Sequence, residues 1–137
     1  PPSGDFYTLN ALLASTNAIV PAPCEYLSMN GINHIEGMIK VIQAKIKHFI
    51  DMSVLITKFD KNNMVSQVVL DKIKSKYKSK VLNTVIDNDQ KIQEAEIVQT
   101  PVIIYDSSST AAKQYINLAT ELEQKLSETP AREKTAL

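Results

Sequence analysis

Five lysines, Lys72, Lys74, Lys76, Lys78 and Lys80, recur at every second position. Ammonium groups in such a row neutralise phosphates and release counterions, the chemistry of salt-sensitive polyanion binding. At 3.6 residues per turn a two-residue spacing spreads charge around a helix, so the row equally describes a solvated surface. Other reactive side chains are sparse. Cys24 has no histidine nearer than His34 and reads as a buried or half-buried thiol rather than a nucleophile. His34 and His48 lie fourteen apart without further ligand-type residues at metal-binding spacing, so no metal centre is expected from them. Ser107, Ser108 and Ser109 precede an apolar-periodic run and read as helix caps, not catalytic hydroxyls. The three glycines, Gly4, Gly31 and Gly37, form no G-K-[ST] loop whose backbone N–H groups would cradle phosphates.

The 137 residues are 44% hydrophobic, which suits one compact domain with a core. Formal net charge is zero and names no partner, but the charge is unevenly spread. Residues 1–39 carry three acids and no Lys or Arg; residues 40–80 carry ten lysines against three aspartates. Residues 81–137 carry nine acids against five bases, with Arg132 the single arginine. This asymmetry predicts one basic face. A single cysteine excludes an internal disulfide and favours a reducing compartment. No apolar run approaches the ~20 residues of a membrane span. The first residues lack a basic, then apolar, leader pattern. A cytoplasmic location without membrane attachment is the expectation.

These residues must be positioned by alternating strands and helices. "NAIVPAP" (17–23) reads as a short buried strand, stopped by prolines that cannot donate to a ladder. From Ser28 to Phe49, apolar residues recur at steps of three and four, the mark of an amphipathic helix. "MSVLITKFD" (52–60) is β-branched and apolar without alternation, which suits a strand covered on both faces. Val65, Val68, Val69, Ile73 and Tyr77 form a helical stripe, and "VLNTVID" (81–87) is a third strand. Residues 90–98 read as a short helix or an irregular segment, and "TPVIIYD" (100–106) as an extended segment or short edge strand. A last helix follows the serines, with Ala112, Tyr115, Ile116, Ala119, Leu122 and Leu126 as its apolar stripe. The βαβα order predicts an α/β fold with a mainly parallel sheet flanked by helices. Residues 1–126 make up the folded part, and 127–137 a loose tail.

Five stretches, in order and at near-constant spacing, resemble the ParA/MinD group of deviant Walker-A ATPases, and most of all its ParA (Soj) branch. "PPSGDFYTLNALLAST" is similar to the family's switch II loop and following "LTxNALxAS" helix. "AIVPAPCEYLSMNGI" resembles "VLIPVQCEYYALEGL", and "VLITKFD" resembles "VLLTMYD". "KVLNTVIDNDQKIQEA" resembles "KVFKTVIPRNVRLSEA", and "VIIYDSSSTAAKQYINLATEL" resembles "VLLYDPRSKGAxAYxxLAxEL". The resemblance runs from Pro1 to about Leu126 and implies the C-terminal half of a P-loop NTPase fold.

The resemblance implies roles residue by residue. Pro1, Pro2, Ser3 and Gly4 match switch II, where the proline pair stiffens a loop that senses the γ-phosphate. Glu25 matches a glutamate that approaches the ribose of a partner's nucleotide in a sandwich dimer. Thr57, Phe59 and Asp60 match the adenine side, and Asp87 and Asn88 the other base-contacting loop. There the family's Pro-Arg-Asn is replaced by Asp87-Asn88-Asp89, which removes side-chain contacts made by that arginine. DNA-binding candidates are Lys61, Lys72, Lys74, Lys76, Lys78 and Lys91. Lys91 matches one family arginine; Asn62, Ser108 and Thr110 stand where the family has basic residues.

By the same resemblance, the glycine-rich phosphate loop and a Mg²⁺-shell aspartate precede position 1. ATP or ADP with Mg²⁺ would then be ligands of a parent protein, with little binding by this chain alone and no hydrolysis. The implied partners are a second copy, non-specific DNA and a centromere-binding ParB-like protein, giving a nucleoid-associated plasmid or chromosome partition ATPase. One alternative is a non-catalytic truncated α/β interaction module. Another is a MinD-like membrane-associated ATPase, which the tail 128–137 does not favour because it lacks a basic amphipathic helix.

Overall fold

The computed structural model describes residues 6–128. The chain divides into two compact units, meeting in sequence between Asn88 and Asp89. The first unit contains α1 (Phe6–Leu13), β1 (Asn17–Pro23), α2 (Ser28–Ile46), β2 (Asp51–Phe59), α3 (Met64–Tyr77), a 3₁₀ turn at Lys78–Lys80, and β3 (Val81–Asp87). Its three strands form a sheet in the order β1-β2-β3, and both neighbouring pairs are parallel. Helices α2 and α3 are the crossovers that parallel pairing requires.

Apolar patterning explains the layers. Met52, Ser53, Val54, Leu55 and Ile56 are all buried, so the middle strand is covered on both faces. Met52, Val54 and Ile56 pack in one core with Ile32, Ile39 and Ile42 of α2 and Val69, Ile73 and Tyr77 of α3. Val65 and Val68, assigned to the α3 stripe by spacing, remain exposed, because the buried arc of α3 narrows to Ser66, Val69, Ile73 and Tyr77. Helix α2 ends at Ile46, before Phe49, where Lys47 turns left-handed (φ 58°) and its N–H reaches the Gln43 carbonyl.

β1 spans Asn17–Pro23 as its sequence predicts, with Pro21 inside it and Pro23 at its end. The Cys24 N–H donates to the Thr57 carbonyl, and the Asp51 N–H to the Thr16 carbonyl. These bonds turn the even-numbered backbone groups of β1 toward β2, so Asn17, Ile19, Pro21 and Pro23 face the opposite edge. The missing proline donors therefore fall where the described sheet has no neighbour, and β1 runs to Pro23.

The second unit contains α4 (Gln90–Ile97), α5 (Val102–Tyr105) and α6 (Thr110–Glu128). The apolar, β-branched "VIIY", expected to be extended, is one helical turn. Pro101 precedes it at φ −56°, and its carbonyl accepts from both Ile104 and Tyr105 N–H. Proline pre-organises the start of a helix, and this local closure outweighs β propensity. Asp89 caps two helices. Its Oδ1 accepts from Lys91 N–H at 2.9 Å and its Oδ2 from Ala111 N–H at 3.1 Å. Ser109 is the serine that caps α6, its Oγ accepting from Ala112 N–H at 3.1 Å.

Candidate functional site

Parallel sheets expose ligand-binding loops at the carboxyl ends of their strands. In the first unit those ends are tied by backbone hydrogen bonds. Cys24, just past β1, donates to Thr57 of β2 at 2.9 Å, and Asn88, just past β3, donates to Phe59 at 2.8 Å. The structure thereby brings Glu25, Thr57, Phe59, Asp60, Asp87 and Asn88 to one end of the sheet. Pro1, Pro2, Ser3 and Gly4 lie outside the described residues.

Glu25 is exposed in the β1–α2 loop, its carboxylate 3.4 Å from Lys58 Nζ. Lys58 sits near the end of β2 at φ 51°, where the β2–β3 register slips between Ile56 and Phe59. Asp60 has a local task. Its Oδ1 accepts from Asn62 N–H at 2.8 Å, closing a turn, while its own N–H donates to Ser66 Oγ at 3.3 Å. Ser66, buried, also donates to the Cys24 carbonyl at 3.5 Å, which binds α3 to the loop after β1. Burial pushes the Cys24 thiol up to about 11, so it is a neutral core group at pH 7 and not a nucleophile. Among the described residues no group of three or more His, Cys, Asp or Glu is arranged to hold a metal ion.

The lysines separate into bound and free. On α3, Lys72 and Lys76 share one flank at i, i+4, while Lys74 lies across Ile73 on the other. Lys76 donates to Asn33 Oδ1, which also accepts from Tyr77 OH at 2.7 Å. Lys80 pairs with Glu36 at 2.7 Å, and Lys40 reaches the same carboxylate at 3.1 Å. The hydrogen bond from Lys80 holds the Glu36 carboxyl below the usual carboxylate range. Lys61, Lys72, Lys74 and Lys78 form no ion pair with any described residue.

In the second unit, Lys91 pairs with Glu94 at 2.6 Å, and Tyr105 OH donates to the same Glu94 oxygen at 3.1 Å. Ser108 does not stand free in place of a basic residue. Its N–H and Oγ both donate to Asp106 Oδ1 and close the turn before α6. Spacing gave no hint of Lys58, Ser66, Glu94 or Tyr105 as participants, since each acts through a partner distant in sequence or across a turn.

A family model described as an AAA domain matches residues 1–52. Over 123 residues, 89% of this chain, the sequence is 31% identical to the sporulation initiation inhibitor protein Soj of Bacillus subtilis. Over the same length it is 27% identical to the chromosome partitioning protein ParA of Myxococcus xanthus and 28% to the chromosome-partitioning ATPase Soj of Treponema pallidum. Those matches cover 49%, 44% and 49% of the relatives, so the chain spans about half the length of the curated relatives it matches. The parallel sheet with helical crossovers makes this an α/β chain, an architecture consistent with a fragment of a P-loop NTPase-like fold. Over most of its length the chain is similar to part of these ParA and Soj proteins. Among the described residues no helix is long and apolar enough to cross a membrane.

Proposed function

We propose that this chain serves a partition ATPase, forming the adenosine-facing end of its nucleotide site and part of a non-specific DNA-binding surface. The observation that carries the reading is the convergence of Glu25, Thr57, Phe59, Asp60, Asp87 and Asn88 at the carboxyl ends of a parallel sheet. Backbone amides and carbonyls, an aromatic ring and carboxylates are a donor set suited to a base and a sugar. This sequence has no glycine-rich G-K-[ST] loop to cradle the phosphates. Bound ATP with Mg²⁺ would supply the γ-phosphate that distinguishes the two states of such a switch. In this reading Glu25 accepts from a sugar hydroxyl of the nucleotide held by a second copy, while the strand ends at Thr57–Asp60 and Asp87–Asn88 frame the base of the chain's own nucleotide.

The free lysines Lys61, Lys72, Lys74 and Lys78 carry the DNA contacts, with nucleotide-dependent pairing of two copies doubling the basic surface. A centromere-binding protein then stimulates hydrolysis, and the assembly works on the nucleoid. The test uses the natural full-length protein, its mass followed by light scattering with ATP–Mg²⁺, ADP–Mg²⁺ or no nucleotide. A mass that doubles only with ATP supports the reading; a monomer that binds ATP without doubling overturns the dimer. The Glu25→Gln variant should weaken nucleotide-dependent pairing without lowering the melting temperature.

A further inference from the structure

Lys91 occupies the first turn of α4, where the positive end of the helix dipole disfavours a cation. It is held there by Glu94, one turn on, at 2.6 Å. Tyr105 donates to the same Glu94 Oε2 at 3.1 Å, and the Lys91 ammonium lies 5.9 Å from the centre of the Tyr105 ring. Three groups thus share one contact, and the tyrosine fixes the carboxylate in advance, reducing the ordering cost that makes most surface pairs weak. Asp89, already the double cap, and Asp106, already holding Ser108, add two more carboxylates to this part of the unit. The ammonium pairs with Glu94 and also feels the charge of Asp106.

We propose that Glu94 masks Lys91, so that a polyanion gains this lysine only by displacing Glu94. The inference rests on the DNA-binding reading above and adds a built-in competitor to it. A phosphate and the Glu94 carboxylate claim the same Nζ, and Tyr105 keeps the carboxylate in place.

The experiment measures binding of a non-specific duplex to the natural full-length protein with ATP, by fluorescence anisotropy across a salt series. Wild type is compared with Glu94→Gln, Glu96→Gln, Lys91→Gln and the Lys91→Gln/Glu94→Gln pair. Glu96 is exposed two residues away and gives the same change in net charge. Glu94→Gln should tighten binding and steepen the slope of log affinity against log salt by about 0.9, one released counterion. Glu96→Gln should leave the slope unchanged, and the gain from Glu94→Gln should vanish in the Lys91→Gln background. Equal behaviour of Glu94→Gln and Glu96→Gln, or a gain that survives loss of Lys91, overturns the inference while leaving DNA binding intact. Absence of salt-dependent binding in every protein, wild type included, overturns the DNA-binding reading and the masking with it.

Discussion

Lys47, Lys58 and Lys78 hold φ values of 58°, 51° and 47°, a region that L side chains occupy at a cost. Lys78 is the most demanding. With ψ at −117° it lies where glycine is the usual occupant, at the end of α3. Lys78→Gly should raise stability by roughly 0.5–1 kcal/mol, since the strain removed exceeds the added entropy of the unfolded chain. A urea titration reads this as a higher midpoint at unchanged slope. Glu36 gives a second prediction. Its folded carboxyl is held low, chiefly by the hydrogen bond from Lys80, so it stabilises the fold above the ordinary carboxylate range. That contribution disappears as pH falls through the lowered value. Glu36→Gln should therefore lower the urea midpoint at neutral pH, and the gap from wild type should close as pH falls through the lowered carboxyl value.

Among the elements, strands and long helices were legible because period and composition agreed. β3 spans 81–87 as read, and β2 differs by one residue at each end. The misreading of 100–106 has a local cause. Val, Ile, Ile and Tyr favour strands, but among the described residues they join no strand pair, and Pro101 starts a helical turn. The functional loops were legible only as positions after strands; which side chains they use depends on Ser66 and Lys58, whose partners lie far along the chain. Nor did spacing distinguish Lys91 from Lys72, because Glu94 and Tyr105 decide that difference. Asp89 was visible as a departure from the family pattern, not as a double cap. Asp89→Ala should cost about 1–2 kcal/mol, unfastening the starts of both α4 and α6. Asp89→Asn should cost less, because its one remaining carbonyl oxygen still accepts from one of the two N–H groups. Thermal melts of the three proteins should rank Asp, Asn, Ala in descending order.

At the scale of the whole molecule, the charge asymmetry of the sequence survives in part. The middle third is rich in lysine, but Lys40, Lys76 and Lys80 are engaged with α2 partners. The basic surface is therefore narrower than the count of ten lysines suggests. The placement of Pro21 and Pro23 on the outward positions of β1 has a consequence for self-assembly. An open strand edge templates growth by donating and accepting along its length, as in cross-β fibrils. Along this edge, which has no strand beside it among the described residues, Asn17 and Ile19 can donate and Pro21 and Pro23 cannot, so an incoming strand zips for half the length of β1 and then stalls. Replacing both prolines with alanine should complete the row of donors without disturbing the bonds to β2. The doubly substituted chain should convert to thioflavin-positive fibrils faster than wild type at equal concentration; equal rates would mean that fibril growth does not use this edge. The two prolines then act as a stop on polymerisation, written into a strand that the folded sheet still uses in full.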